Sequence, residues 1–227
     1  MNPPPRKLPP LPPKKGTGPL ESQVPSPFSG AVAAIPDKRP PDWWLFFTKF
    51  LKHGTAIAAF VPSSPWLARG VVRSIDFGQA RCVVELGAGT GPITAELLGR
   101  AAGRCRVLIV ERDRDFCRRL RQRFPTADVV QADARELEHL LIQRGVDTFD
   151  HVLCGLPLPS FRAADRDHIL DVVRRRLSQG GTFRQLTHMP WVYYPLYRRY
   201  FDQVEFHLVF RNLPPAGYYI CRRPRAA

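Results

Sequence analysis

The chain has 227 residues, 44% of them hydrophobic, which is enough for one large globular domain with an appendage. Its formal net charge of +14 and its pI near 10.3 favour a polyanionic partner, either nucleic acid or an anionic membrane surface. The alternative explanation is that the positive charge reflects only a general preference for arginine in the proteome. The apolar run AIAAFV (residues 56–61) is far shorter than the ~20 residues that cross a bilayer, which argues against a membrane-spanning segment there.

The N-terminal sequence contains no apolar signal-peptide core, so we expect a protein that stays in the cytoplasm. Residues 1–40 hold 12 of the 24 prolines, separated by small and charged residues. Such a composition cannot bury a core, and it predicts a disordered or polyproline-like leader. The five cysteines form no CxxC pair and show no metal-ligand spacing, which predicts buried free thiols and no metal site.

Residues 41–54 are predicted to form an amphipathic helix with Asp42 as its N-cap. At about 100° per residue, the aromatic side chains share one face and the lysines lie on the other. Such a face could pack on the domain, but Trp and Phe flanked by Lys are favoured at a bilayer interface. We therefore predict peripheral binding to the inner face of the cell membrane. The predicted membrane-binding residues are Trp43, Trp44, Phe46, Phe47, Lys49, Phe50, Leu51 and Lys52.

From Arg81 onward, strand and helix patterns alternate along the chain. The predicted strands are CVVEL, RVLIV, ADVVQAD, FDHVLC and GGTFRQLTH, and the predicted helices are PITAELLGRAA, RDFCRRLRQRF, RELEHLLIQR and RDHILDVVRRRL. Gly180 and Gly181 are expected to stop the last of these helices, and VEFHLVF and AGYYICRR are expected to close the sheet as an antiparallel pair. The pattern predicts an α/β fold with a mainly parallel sheet covered by helices on both faces.

The strongest motif is VVELGAGTGPIT (residues 83–94), in which a buried strand ends in an acid and turns through glycines into a helix. Glu111 ends the next strand, where a carboxylate can bind both ribose hydroxyls of a nucleoside. Asp133 follows the third strand, where an acid can accept a hydrogen bond from an adenine amino group. Together with Glu85, these strand-end acceptors predict a bound adenosyl cofactor.

The glycine spacing distinguishes two adenosyl cofactors. A dinucleotide-binding loop usually reads GxGxxG, whereas this chain has GxGxG with an acid two residues before it. That pattern resembles the class I S-adenosylmethionine-dependent methyltransferases, whose fold is a seven-stranded Rossmann-like sheet. The resemblance implies S-adenosylmethionine as cofactor and S-adenosylhomocysteine as product.

The end of the fourth strand, CGLPLPSF (residues 154–161), should face the methyl acceptor. Enzymes that methylate amino groups of DNA or rRNA bases carry Asn-Pro-Pro-Tyr or Asn-Leu-Pro-Tyr there, so that Asn binds the amine and the ring stacks on a flipped base. This chain has Gly155 in place of that Asn and Leu158 in place of the ring. We therefore do not expect nucleic acid as the substrate, and an rRNA adenine-type N-methyltransferase is the alternative.

Several segments together resemble the bacterial phospholipid N-methyltransferases, which methylate phosphatidylethanolamine, and the related ornithine-lipid N-methyltransferases. They are AFVPSSPWLAR, VVELGAGTGPIT, VERDRDFCRRLRQRFP, VVQADA, CGLPL and RNLPPA. The resemblance implies a methyltransferase domain over residues 55–227 that transfers methyl groups to the headgroup amine of a membrane lipid. A binding protein of the same fold without activity is the non-enzyme alternative, and a monomer on the membrane is expected.

The resemblance and the strand-end pattern together assign the site. The predicted cofactor-binding residues are Ser63, Ser64, Glu85, Gly87, Ala88, Gly89, Gly91, Glu111, Arg112, Asp133, Ala134 and Gly155. For the acceptor, His188 could take the proton of the amine, Tyr193 and Tyr194 could line a headgroup pocket, and Arg211 could bind a phosphate or carboxylate. The family often has Tyr in Gln-Phe-Thr-Tyr-Gly where this chain has His188.

Overall fold

The computed structural model describes residues 63–212 and 215–225. The predicted leader of residues 1–40 and the predicted amphipathic helix of residues 41–54, with all its proposed membrane-binding side chains, lie outside the described residues. Within the described part, no helix is long and apolar enough to cross a membrane.

Seven strands form one mixed sheet in the order β3-β2-β1-β4-β5-β7-β6. The strands are β1 (Cys82–Leu86), β2 (Arg106–Glu111), β3 (Asp128–Gln131), β4 (Phe149–Cys154), β5 (Leu177–Thr187), β6 (Phe201–Val209) and β7 (Ala216–Pro224). The first five run parallel, and β7 is antiparallel to both of its neighbours, so β6 points the same way as β5. The predicted α/β fold and its closing antiparallel pair are confirmed.

Helices cover both faces of the sheet. They are α1 (Pro65–Val72), α2 (Pro92–Ala101), α3 (Arg114–Arg123), α4 (Leu137–Gln143), α5 (Ala163–Arg176) and α6 (Pro190–Tyr197). One apolar core joins α4, α5 and α6 to the sheet, and a second joins α1, α2 and α3 to its other face. The near-continuous burial of β1 and β2 follows from this double cover.

The sequence patterns missed helix α1. Its start carries ordinary signals, since the Ser64 hydroxyl accepts a hydrogen bond from the Leu67 amide at 3.2 Å and Pro65 occupies the first turn. The other end is held by Arg184 of β5, a buried side chain whose Nη1 donates to the Val71 carbonyl at 2.6 Å. This long-range contact fixes α1 against the sheet.

The predicted boundary between α5 and β5 was wrong. Helix α5 ends at Arg176 and β5 begins at Leu177, so the Gly180–Gly181 pair lies inside the strand and does not stop the helix. A Cβ added at Gly181 would come within 2.6 Å of the Asp150 carbonyl oxygen. The glycine is therefore needed for the close approach of β5 to β4.

All five cysteines are free thiols, and the predicted burial is found for four of them, while Cys105 is half-buried. Across residues 63–212 and 215–225, no group of three or more His, Cys, Asp or Glu side chains is arranged to hold a metal ion.

Candidate active site

The carboxyl ends of β1, β2, β3, β4 and β5 meet at one edge of the sheet, because these strands are parallel. The glycine loop between β1 and α2 lies at this edge. Gly87 and Gly89 have φ of +76° and +55°, a region that favours glycine. A Cβ at Gly87 would lie 2.5 Å from Cδ2 of Leu156, whereas a Cβ at Gly89 would meet nothing within 4 Å. The loop therefore turns tightly on its protein side and leaves space at Gly89 on the other.

Glu111, at the end of β2, ties the glycine loop to the next turn. One carboxylate oxygen accepts a hydrogen bond from the Gly89 amide and the other accepts one from the Asp113 amide, both at 2.8 Å. An ionised carboxylate has about four lone-pair positions, so each oxygen retains one for a further donor. The two hydroxyls of a ribose are donors that suit this arrangement.

Glu85 is 1% exposed, and its Oε2 accepts a hydrogen bond from the Thr94 hydroxyl at 2.7 Å. Its pKa is raised to about 7, chiefly by burial, with a smaller contribution from the charge of Glu111, while the bond from Thr94 acts in the opposite direction. Its Oε1 is buried and has no hydrogen-bond partner among the described residues. A buried acceptor without a partner fits a ligand that donates hydrogen bonds, such as the ammonium group of a bound amino acid moiety.

Asp133 caps the short turn that follows β3, and Ala134 is the first residue of that turn. Its carboxylate accepts hydrogen bonds from the backbone amide and guanidinium of Arg135 at 2.9–3.0 Å, and Arg112 lies 3.7 Å away. Burial alone would raise the pKa of Asp133, but the Arg135 bonds and both cations outweigh it and lower the pKa below the ordinary value. The side chain is thus an ionised acceptor, already partly engaged by Arg135.

The loop after β4 packs directly on the glycine loop. The Gly155 amide donates to the Leu86 carbonyl at 2.9 Å, and a Cβ at Gly155 would lie 2.7 Å from the Gly87 carbonyl oxygen. Leu158, which occupies the position of the base-stacking ring in the nucleic-acid enzymes, is completely buried. Neither side chain offers a base a polar contact or an exposed ring.

A buried hydrogen-bond chain supports this loop from behind. The Tyr197 hydroxyl donates to Oε1 of Gln185 at 2.8 Å, and Nε2 of Gln185 donates to the Leu156 carbonyl at 2.9 Å. Both side chains are fully buried. Gln185 and Tyr197 were not assigned to the site from the sequence, although a polar side chain in a central strand that is buried needs a hydrogen-bond partner.

The predicted acceptor-side residues separate into two environments. Tyr193 of α6 packs against the core with its ring 5.8 Å from that of Tyr197, and burial raises its pKa above the usual range for a phenol. Tyr194 is 46% exposed, with its ring 6.4 Å from that of Tyr219. His188 is exposed at the end of β5. Tyr193 is therefore a neutral hydrogen-bond donor at neutral pH, whereas His188 and Tyr194 face solvent.

Ser64 and Asn212, which belong to the Pro-Ser-Ser and Asn-Leu-Pro-Pro motifs, are far apart in the sequence but meet in space. Buried Asn212 accepts a hydrogen bond from the Ser64 amide through Oδ1 at 2.9 Å. Beside it, the Arg211 guanidinium lies 4.6 Å from the Trp66 ring centroid, and the Arg69 guanidinium lies 5.7 Å from it. Because Arg211 follows the carboxyl end of β6, this cluster lies at the same edge as the glycine loop.

The geometry agrees with comparisons to known proteins. Residues 83–181 match the family described as a methyltransferase domain. The chain is 53% identical over 184 residues to the ornithine lipid N-methyltransferase of Singulisphaera acidiphila, covering 80% of this chain and 96% of that one. A shorter match, 50% identity over 58 residues, links it to the ribosomal RNA small subunit methyltransferase A of Anaeromyxobacter dehalogenans, covering 25% of this chain and 19% of that one.

Among solved structures, the chain resembles the N-methyltransferase NodS of Bradyrhizobium japonicum WM9 in complex with S-adenosylhomocysteine. The TM-score is 0.53 at 16% identity, covering 70% of this chain and 84% of that one, which supports the fold. The long match at 53% identity establishes the relationship. The chain belongs to the family of S-adenosylmethionine-dependent methyltransferases that includes the ornithine lipid N-methyltransferase of Singulisphaera acidiphila.

Proposed function

We propose that this enzyme transfers methyl groups from S-adenosylmethionine to the headgroup amine of an ornithine lipid. The observation that carries the proposal is the 53% identity, over 80% of the chain, to a protein with that activity in its name. Phosphatidylethanolamine and its methylated forms are the alternative lipid acceptors. An rRNA base is the alternative from another class of substrate, and the related RNA enzyme matches only 25% of the chain.

We propose that the cofactor is held by the strand-end residues. Glu111 would accept hydrogen bonds from the ribose, Glu85 would receive the ammonium group of the methionine part, and Asp133 would face the adenine amino group. The open space at Gly89 supports this placement, because it leaves room for a ligand close to the backbone. When bound, S-adenosylmethionine supplies a methyl group on a sulfonium, which is already activated for displacement.

The protein must then present a neutral amine, because an alkylamine near the reference pKa of Lys, about 10.4, is mostly protonated at neutral pH. Desolvation at the edge of the sheet would lower the pKa of the amine. His188 is a proton acceptor at the end of β5, and a phosphate or carboxylate of the lipid itself is another candidate. Tyr193, which stays a neutral phenol, could donate a hydrogen bond but could not act as the base.

The headgroup of an ornithine lipid carries an acidic group besides its amine. We propose that Arg211 binds that group, with Trp66 holding its guanidinium in place. Arg211→Met should then raise the KM for the lipid more than it lowers kcat, with little effect on cofactor affinity. Arg223→Met is the matched control, because Arg223 belongs to the same β6–β7 hairpin but lies near the end of β7, at the opposite edge of the sheet.

The test of the proposed function is methylation of detergent-solubilised lipids by the purified full chain. Ornithine lipid, phosphatidylethanolamine and rRNA fragments are offered separately, with methyl transfer followed by mass spectrometry. We expect mono-, di- or trimethylated ornithine lipid. Methylation of RNA with both lipids untouched would contradict the proposal. His188→Ala should lower turnover more than cofactor binding, and equal activity would remove His188 from the mechanism.

We also propose that residues 41–54 adsorb to the inner membrane surface, which would bring the enzyme to its acceptor. The proposal rests on the helical grouping of Trp43, Trp44, Phe46, Phe47, Phe50 and Leu51. Sedimentation with phosphatidylglycerol vesicles should weaken with salt, and it should weaken when residues 1–53 are removed or when Trp43→Glu and Phe47→Glu are introduced. Equal binding by folded versions of all three proteins would contradict it.

A further inference from the structure

Exposed apolar side chains are concentrated on one part of the described structure. Nine large apolar side chains are exposed, and seven of them belong to residues 189–210. We call these seven the α6–β6 surface. They are Met189, Trp191, Val192, Tyr194, Phe206, Leu208 and Phe210, and the most exposed are Trp191 at 71% and Phe210 at 78%. Such clustering, unlike isolated exposed residues, indicates an interaction site.

The α6 and β6 parts of this surface are continuous. Phe206 pairs with Tyr219 of β7 across the sheet, and their ring centroids are 5.0 Å apart. Tyr194 of α6 reaches the same ring at 6.4 Å. Since alternate residues of a strand share a face, Leu208 lies on the same side as Phe206. Tyr219 therefore joins the two halves into one apolar area.

The α6–β6 surface borders the edge of the sheet that holds the cofactor site. Helix α6 begins three residues after β5 ends, and Phe210 follows directly after the end of β6. Strands β5 and β6 point the same way as β1, so both of these ends lie at the edge of the glycine loop. A body that docks on this surface would lie next to the strand ends where we place the cofactor.

The charges around the surface favour a lipid partner over a protein one. Residues 188–200 contain two arginines and no acid, and both Arg198 and Arg199 are exposed. Arg211 adjoins Phe210 and contacts Trp66, another exposed ring. The acid on the same face of β6, Asp202, lies at the far end of the strand and pairs with Arg225 at 2.8 Å. Trp, Tyr and Phe next to arginines suit the interface of an anionic bilayer.

We propose that the α6–β6 surface docks the methyltransferase domain directly on an anionic bilayer. This proposal rests on the proposed function in one respect: if the methyl acceptor is a lipid in the bilayer, the cofactor edge of the domain must face that bilayer. It differs from the proposed role of residues 41–54, because it places the contact on the catalytic domain itself. The segment would attach the protein, and the α6–β6 surface would orient it.

The test uses the full chain with Trp191→Glu and Phe210→Glu together. Ile142→Glu is the matched control, because Ile142 is 62% exposed on α4, whose end leads to the opposite edge of the sheet. For each protein we measure sedimentation with phosphatidylglycerol–phosphatidylcholine vesicles, methylation of lipid in those vesicles, and methylation of the same lipid in detergent micelles. Cofactor affinity and oligomeric state are measured alongside. If the double variant fails to bind the cofactor or to unfold cooperatively, Trp191→Ala with Phe210→Ala replaces it.

We expect the double variant to lose about tenfold or more in vesicle affinity and in vesicle turnover, while micelle turnover and cofactor affinity stay at the parental level. The Ile142→Glu protein should match the parent in every assay. Vesicle binding by the double variant equal to that of the parent would overturn the proposal. A change from dimer to monomer with unchanged vesicle binding would overturn it in favour of a second copy as the partner.

The vesicle experiment also separates the two proposals. If the parent methylates no lipid in micelles, yet its vesicle binding still depends on Trp191 and Phe210, the docking surface is supported and the proposed substrate is wrong. If removal of residues 1–53 strengthens vesicle binding by the α6–β6 surface, that segment covers the surface in solution, and the proposal of direct docking by the intact protein is overturned.

Discussion

Replacing Glu111 by Gln tests the proposed cofactor site at the residue that links the glycine loop to the turn after β2. Its two carboxylate oxygens accept hydrogen bonds from the amides of Gly89 and Asp113 at 2.8 Å each. The glutamine amide keeps the shape of the side chain but has one oxygen, so one backbone donor would face an NH₂ group. The ribose also loses a charged acceptor, and hydrogen bonds to charged groups are worth about 1.5–3 kcal/mol. We expect S-adenosylmethionine affinity to fall by about 2 kcal/mol, or roughly 30-fold.

Isothermal titration calorimetry with S-adenosylhomocysteine measures this change without interference from turnover. Glu205→Gln is the control, because Glu205 also makes an ionic contact, with Arg222 at 2.6 Å, but is 52% exposed on β6. We expect that control to bind the cofactor product with parental affinity. If Glu111→Gln bound it equally well while unfolding at the parental temperature, Glu111 would not be a ribose ligand and the strand-end assignment would be wrong.

Three further predictions concern other residues of the site. Burial raises the pKa of Glu85 from 4.5 to about 7, so its ionisation lowers native stability by about 3 kcal/mol as pH rises through this window. The unfolding free energy of Glu85→Gln relative to the parent, measured in urea without cofactor, should therefore increase between pH 5 and pH 8, and a constant difference would contradict the assignment. Gly155→Ala should weaken cofactor binding about tenfold or more in calorimetry, because the added Cβ would lie 2.7 Å from the Gly87 carbonyl oxygen of the glycine loop. Gly99→Ala on α2 is the control and should leave cofactor binding unchanged, because its Cβ would meet no atom within 4 Å. Tyr197→Phe leaves the buried Oε1 of Gln185 without its donor, so we expect the unfolding free energy to fall by about 1–3 kcal/mol. We also expect a lower kcat at unchanged cofactor affinity. An unchanged kcat would show that this hydrogen bond contributes to stability only.

The sheet and the cofactor edge were predictable because they depend on local patterns. Apolar runs such as RVLIV lie in strands buried on both faces, and each is bounded by a turn or a helix cap that can be recognised from a few residues. Asp113, for example, caps α3 with its side chain. The glycine loop is similarly local, since its conformation follows from positive φ at Gly87 and Gly89. A parallel sheet then brings the strand ends together without further information.

The contacts that position the acceptor side were not predictable in the same way. Asn212 and Ser64 are 148 residues apart, and Gln185 and Leu156 are 29 residues apart. No periodicity within a short window reports such pairs. The predicted start of β5 was wrong for a related reason. Gly181 is needed because β4 passes close to it, so this glycine carries no information about the end of α5. Tertiary contact, and not local propensity, decided these positions.

The structure also gives a physical reason why the base-holding Asn is replaced by glycine in this enzyme. In the observed loop a side chain at Gly155 would collide with the Gly87 carbonyl, so any larger residue requires the two loops to move apart. Leu158 is buried beneath the same loop and cannot turn outward without opening a cavity in the core. An amine on a flexible lipid headgroup needs neither a side-chain amide nor a stacking ring at this place, whereas a flipped base needs both. The packing of the two loops therefore supports a small, unstacked amine as the acceptor, independently of the overall charge of the chain.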